Sequence, residues 1–342
     1  MLVILADDLT GTLDAAAPFA GRGLVTEVVL APSALDAALA SRPDVLSINV
    51  RSREVGASAA RAATRASIAS LPHDATLFKK IDSRLKGAIA EELDATPFRQ
   101  ALVAPAIPDF GRIVREGAVE GFGVPTPLPI APVLGRHAER AIIPDTQTNA
   151  DLSHALEAAL SKGVDLLIGA RGLAEALALR MTQGRPAERV RVPAGRGLFV
   201  IGSRDPITLA QIERLRQQHR LHHRPAPNGV LGAEGDDDSR LSLVQAVDGE
   251  AVLSPVEVSR HLAAGVHPRL TAEAETVLLS GGATAEAVLE AMGIARFRLL
   301  GECLPGLGIA KAGRHHIIAK SGGFGGPDTL SLIAAALNGE ID

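Results

Sequence analysis

Two carboxylates, Asp7 and Asp8, stand side by side near the start of a 342-residue chain. They close an apolar run at residues 2–5 and lead through Leu9-Thr10-Gly11 into an Ala-rich stretch at 12–20. This order of strand, acidic turn and helix places both acids at the carboxyl end of a strand, where open α/β sheets bind ligands. Acids beside a buried strand are costly unless they hold a metal, a hydroxyl or a cation. Three more polar segments follow apolar runs in the first half. They are Asn49-Val50-Arg51-Ser52-Arg53, Lys79-Lys80-Ile81-Asp82-Ser83-Arg84, and the PAIPDFGR segment at 105–112. In a parallel sheet the four ends share one rim, and their mixed charges suit a small polyhydroxylated anion. Arg and Lys would bind its carboxylate, and the Asp residues would bind or deprotonate its hydroxyls. Taken singly, each segment reads first as a helix cap or a salt bridge, and four of them at matching topological positions weigh against that.

The second half offers glycine-rich turns between strand-like and helix-like stretches: Ile201-Gly202-Ser203, Ser280-Gly281-Gly282-Ala283-Thr284, and Lys320-Ser321-Gly322-Gly323-Phe324-Gly325-Gly326. Glycines admit phosphate oxygens close to the backbone, and helix N-termini favour anions. A single such turn is also an ordinary tight turn. Neither a GxxxxGK[ST] loop nor a clean GxGxxG fingerprint is present, which weighs against a P-loop ATPase and a dinucleotide dehydrogenase. The adjacent pairs His222-His223 and His315-His316 lack an acid at ligand spacing, and the single cysteine, Cys303, reads as a packed thiol.

The elements that must position these residues alternate. Strands are expected at 2–5, 26–30, 45–50, 76–81, 101–104 and 166–168, with helices at 34–40, 57–70, 88–95, 152–160 and 172–181. A Gly, Pro and Arg-rich stretch at 183–197 reads as a boundary. Beyond it lie strands at 198–201, 276–279, 297–300 and 316–319 and helices at 207–218, 283–292 and 328–338, with residues 224–240 an exposed loop. The fold class expected is α/β: two domains, 1–190 and 197–342, each with a mostly parallel sheet flanked by helices.

Composition narrows the function. A net charge of -4, with 2% aromatic residues and no Trp or Tyr, argues against nucleic-acid binding. No apolar run reaches membrane-span length, and no basic stretch precedes the first strand as in a secretory signal. One cysteine fits a reducing compartment, so the expected setting is the cytoplasm.

Together these motifs resemble the four-carbon acid sugar kinase family. The matching segments include ILADDLTGTLDAAAPFA, SINVRSR, KKIDSRLKGAIAEELDA, LVAPAIPDFGR, VIGSRDPITLAQIERL, SGGATAEAVLEAMGI and AKSGGFGGPDTL, in family order. The resemblance implies a sugar-acid-binding first domain and a nucleotide-binding second domain that phosphorylate compounds such as threonate or erythronate with ATP. It implies that Asp7, Asp8, Ser52, Arg53, Lys80, Asp82 and Ser83 belong to the acid-sugar pocket. It implies that Ser203, the loop Gly281, Gly282, Ala283 and Thr284, and the loop with Gly322 and Gly323 hold the nucleotide. The chain departs from the family at Ala283, where an acid is usual, at Arg84 in DSRLKG, and in a shortened segment after Arg112.

The mechanism expected from this resemblance is phosphoryl transfer to a sugar hydroxyl, with Asp8 or Asp82 accepting its proton. Arg53 and Lys80 would hold the carboxylate or the transferring group. Mg²⁺ would travel with ATP, bound mainly by its phosphates and by one or two carboxylates that the sequence does not assign. Domain closure would exclude water. Partners are the acid sugar and ATP, with a homodimer left open. A non-catalytic sugar-acid and nucleotide-binding protein is the alternative, and an NAD-linked oxidoreductase a weaker one.

Overall fold

Strand β1 (Leu2–Ala6) is apolar on both faces because helices cover both, and every residue in it is buried. The computed structural model describes residues 1–232 and 238–340. It divides into two compact units, Met1–Ala187 and Glu188 onward.

In the first unit, β1 is followed by α1 (Leu9–Ala20), β2 (Thr26–Val29), α2 (Leu35–Ala40), β3 (Val45–Asn49), α3 (Ala57–Ala69), β4 (Thr76–Lys80), α4 (Ile89–Ala95) and β5 (Ala101–Ala104). Next come β6 (Arg112–Arg115), β7 (Ala118–Gly121), β8 (Val124–Pro129), α5 (Ile130–Leu134), β9 (Ala141–Ile142), α6 (Asn149–Ser161), β10 (Leu166–Gly169) and α7 (Arg171–Met181). The sheet order is β2-β3-β1-β4-β10-β5-β9, and every pairing is parallel. The chain leaves β1 toward β2 on one side and returns from β3 across β1 to β4 on the other. β1 and β4 therefore flank the topological switch point. Helix α1 is buried almost all round because it lies on β1 and β3 and beneath α7, and its Ala and Gly residues allow close approach.

The second unit runs β11 (Gly197–Ile201), α8 (Pro206–Gln218), β12 (His222–Pro227), β13 (Leu241–Val247), α9 (Pro255–Val266), α10 (Arg269–Glu273), β14 (Thr276–Ser280), α11 (Gly282–Ala291), β15 (Arg296–Leu304), β16 (Leu307–Ala312), β17 (His315–Lys320) and α12 (Thr329–Asn338). Its order is β12-β13-β11-β14-β17-β16-β15, parallel as far as β17 and antiparallel through β16 and β15. Phe199, Ile201, Ile212, Leu215, Leu278, Ile318 and Leu330 are buried together in its core. Cys303 is packed in the same core, where burial pushes its thiol up to about 12.

Both sheets have the expected α/β character, and several elements were not anticipated. The shortened segment after Arg112 forms a small antiparallel sheet, β6-β7-β8. Residues 224–227 continue β12 rather than a loop. Residues 233–237, which carry most of the acidic run expected to be an exposed turn, lie outside the described residues. Val190 N–H donates to the Glu302 carbonyl at 2.8 Å, which ties the inter-domain stretch to the second unit from Glu188.

Candidate functional site

Register brings the polar strand ends of the first unit level. Ala6 pairs with Asn49 on one side and Lys80 on the other, Lys80 with Gly169, and Gly169 with Ala104. The residues just beyond these ends form one rim.

Asp8 is the N-cap of α1, its Oδ1 accepting the Gly11 N–H at 2.6 Å. This cap starts the helix at Leu9, earlier than the Ala-rich stretch alone predicts. Asp7, only 2% exposed, accepts two hydrogen bonds from Arg53, through Nε and through Nη2 at 2.8 Å. The same guanidinium lies 3.3 Å from Asp8 and 3.7 Å from Asp82. Burial opposes the Arg53 charge, but its three carboxylate neighbours hold it above its ordinary range. Burial pushes the Asp7 carboxyl up; the Arg53 hydrogen bond and the Lys79, Arg53 and Lys80 charges prevail and leave it lowered.

Lys80 is buried, and its Nζ donates to the Ile81 carbonyl at 3.1 Å. Among the described residues no carboxylate lies within ion-pair distance of that ammonium. Gly11 lets acid and lysine approach its backbone closely: a Cβ there would lie 2.7 Å from Asp8 Oδ1 and 3.1 Å from Lys80 Nζ, with no room for it. Asp82 Oδ2 accepts from the N–H groups of Arg84 at 3.2 Å and Lys86 at 3.4 Å, which shapes the DSRLKG turn. Ser83 accepts from Arg112 Nη1 at 2.5 Å, and the same guanidinium donates to the Phe122 carbonyl from Nη2 at 2.7 Å and from Nε at 3.1 Å. Phe122 stands 68% exposed at the β7–β8 tip, which Arg112 latches to the rim.

Ser52 is differently placed. Its hydroxyl donates to Glu92 of α4, which also pairs with the fully buried Lys79 at 3.0 Å. That group packs behind the rim. Glu92 and Arg112 were not singled out in the sequence as site residues, although Arg112 ends the GR of PAIPDFGR. Glu92 carries a late signal, being a buried acid on a helix whose preceding strand ends in two lysines.

The three glycine turns of the second unit also meet. Ile201 pairs with Ser280, and Ser280 with Lys320, so β11, β14 and β17 end level. A Cβ on Gly322 would collide with Ser203 Oγ, and one on Gly202 with Thr284 Oγ1. Gly281, at φ +104, lies against the Ser203 N–H, and Gly323 against the Asp205 carboxylate. Gly282 opens α11, where Ala283 is exposed. Thr284 faces inward, its Oγ1 3.1 Å from Ser259 Oγ. Helix α8 holds the last turn from below with residues three apart on one face. Thr208 Oγ1 donates to the Gly322 carbonyl at 2.6 Å, and Gln211 Nε2 to the carbonyls of Phe324 at 3.1 Å and Gly326 at 2.8 Å. Arg214 Nε reaches Asp328 Oδ1 at 2.6 Å. The sequence reading passed over this ladder, whose only signal is the three-residue spacing in PITLAQIERL.

A polar rim at a parallel-sheet switch point in one unit, and converging glycine turns in another, define a two-domain α/β protein with a candidate ligand site in each unit. The sugar-binding N-terminal domain family matches residues 2–127, and the nucleotide-binding C-terminal domain family matches residues 231–330. A D-threonate kinase of Bordetella bronchiseptica is 28% identical over 402 aligned positions, covering 98% of this chain and 96% of its own length. A D-erythronate kinase of Heliobacterium modesticaldum is 35% identical over 131 residues, 36% of this chain and 30% of that one. The crystal structure of a Haemophilus influenzae DUF1537 protein has the same fold, with TM-score 0.70, 19% identity, and coverage of 98% of this chain and 100% of that one. The chain belongs to the four-carbon acid sugar kinase family. The 402 positions aligned with the Bordetella kinase exceed the 342 residues present here, so part of that relative has no counterpart in this chain.

Proposed function

We propose that this protein transfers the γ-phosphoryl group of ATP to a hydroxyl of a four-carbon acid sugar. The observation that carries the reading is the convergence of two side chains of opposite charge on Gly11. There a carboxylate, Asp8, and a buried ammonium, Lys80, which among the described residues has no carboxylate partner, meet at the rim of the sheet. An acid sugar presents the complement, a carboxylate for the lysine and a hydroxyl for the aspartate.

In this reading Asp8 accepts the hydroxyl proton. Asp82 orients the sugar, and Lys80 binds its carboxylate. Arg53 holds Asp7, Asp8 and Asp82 together as one acidic wall, a different part from the direct substrate contact expected of it. Asp7, through Arg53, and Ser52, through Glu92, fix the wall from behind. Ser83 is a substrate contact whose geometry Arg112 sets.

The converging turns at Ser203, Gly281 to Thr284, Gly322 and Gly323 form the proposed nucleotide cradle. Missing Cβ atoms let these turns pack against one another, and Gly282 at the start of α11 is open on its Cβ side, where a helix N-terminus favours phosphate oxygens. Among the described residues no cluster of three His, Cys, Asp or Glu side chains could hold a metal. In this reading Mg²⁺ would arrive on the nucleotide phosphates, with one or two carboxylates completing its shell, and would neutralise charge during transfer. No described helix is long and apolar enough to cross a membrane. The proposed setting is the cytoplasm, where ATP is supplied. ADP release on mixing the protein with Mg-ATP and a panel of four-carbon acids tests the proposal.

A further inference from the structure

Lys320, the last residue of β17, is 1% exposed, yet its ammonium is fully bonded. Nζ donates to Thr208 Oγ1 at 2.9 Å, to the Ser321 carbonyl at 3.0 Å and to the Gly322 carbonyl at 3.1 Å. These three acceptors match the three protons of an ammonium. Two of them are consecutive backbone carbonyls, and a trans peptide unit points its N–H opposite to its C=O. With the carbonyls of Ser321 and Gly322 drawn down onto Nζ, the N–H groups of Gly322 and Gly323 face the other way. Among the described residues neither N–H has an acceptor, and both glycines are accessible. Paired outward N–H groups over a buried cation make an anion-binding concavity.

We propose that Lys320 is a positioning residue for the nucleotide: it shapes the Ser321–Gly323 turn into a phosphate-binding nest and supplies the charge that a bound phosphate completes. The proposal rests on the nucleotide reading of the second unit. The groups packed around the ammonium fit this role. Ser280 of β14, paired with Lys320 in register, is neutral, and its Oγ has no partner among the described residues. Thr208 of α8 is neutral too. Asp205, on the turn before α8, is the charged group that acts on it from a distance, since burial lowers the lysine to about 8 against the pull of that carboxylate. A phosphate on the nest would restore the proton.

Calorimetric titration of the whole protein with Mg-ATP from pH 8 to 9.5, in buffers of different ionisation heat, tests this. Nucleotide phosphates are fully ionised in that range, their second pKa being about 6, so proton uptake on binding reports the protein. Uptake of up to one proton is expected, with affinity falling as pH rises, by at most about tenfold per unit. Lys320→Met should weaken ATP binding and abolish the uptake. Thr208→Val, which keeps the lysine but removes one acceptor, should weaken binding and retain the uptake. ATP binding by the native chain without proton uptake would overturn the role of Lys320 and leave the nucleotide reading intact, even if Lys320→Met failed to fold. Lys320→Met binding ATP with native affinity and native uptake would do the same. No ATP binding by the native chain at any pH would overturn both.

Discussion

Asp7 and Arg53, 46 residues apart in sequence, are joined by two hydrogen bonds, one of them 2.8 Å long, at the carboxyl rim of the sheet, where Asp7 is 2% exposed. Removing the cation leaves the acid buried and unpaired. Arg53→Ala is therefore expected to cost about 3–5 kcal/mol, the usual range for breaking a buried pair from one side. Urea unfolding measures it, and Asp7→Asn in the Arg53→Ala background should recover part of the loss.

The same pair sets an acid limb. Asp7 is lowered in the folded chain, so between its folded value and the unfolded value of about 3.9 the unfolded state binds more protons. Its contribution to stability is complete above about pH 4 and is lost as pH falls through the folded value. Asp7→Asn should flatten the dependence of unfolding free energy on pH below about 4, while leaving the other acids' share in place.

Asp8 carries two separable duties, a helix cap and the proposed proton acceptor. Asparagine caps as well as aspartate, whereas alanine loses about 1 kcal/mol. Asp8→Asn should keep the melting temperature near native and lower kcat by about 10²–10⁴-fold. Asp8→Ala should lower both. ATP affinity should be nearly unchanged in each, since Asp8 lies outside the nucleotide cradle. Native kcat in Asp8→Asn would pass the base role to Asp82.

Much of this was legible in the sequence, for definite reasons. Buried parallel strands are short apolar runs, and each ended at a polar segment, so β1, β3, β4 and β5 stood out with their rim. Antiparallel pieces are less conspicuous, because they alternate or are short. The β6–β7 loop is Glu116-Gly117, both at positive φ, a two-residue hairpin signal inside REGA. The Pro305-Gly306 pair is the matching signal at the β15–β16 turn, and the sequence reading passed over it. Helix α9 opens with a Ser254–Glu257 capping box and a proline at its first position, and the sequence reading missed it. What no single segment displays is tertiary pairing. The spread of Arg53 over three acids, the commitment of Ser52 to Glu92, and the α8 ladder under the glycine loop each join distant residues.

Gly322 meets Ser203 with no room for a side chain. Gly322→Ala should raise the KM for ATP about tenfold or more, in keeping with an overpacking cost of about 1–3 kcal/mol. The KM for the acid sugar should stay close to native. Ser203→Ala removes the colliding oxygen, so the double variant should lose less than the two single effects combined.

Arg112 latches the Phe122 tip to Ser83. Arg112→Ala should raise the KM for the acid sugar about tenfold, the scale of one hydrogen bond to a charged group, without changing that for ATP. Steady-state kinetics with each substrate varied in turn distinguishes the two.

The central claim is phosphoryl transfer to a four-carbon acid. It is tested most directly by incubating the chain with Mg-ATP and D-threonate, D-erythronate or their stereoisomers, then following ADP and the mass of the acid. The account predicts ADP release that depends on at least one acid, with that acid gaining one phosphoryl group. ATP binding without acid-dependent ADP release across the whole panel would contradict it and favour a binding protein that does not turn over.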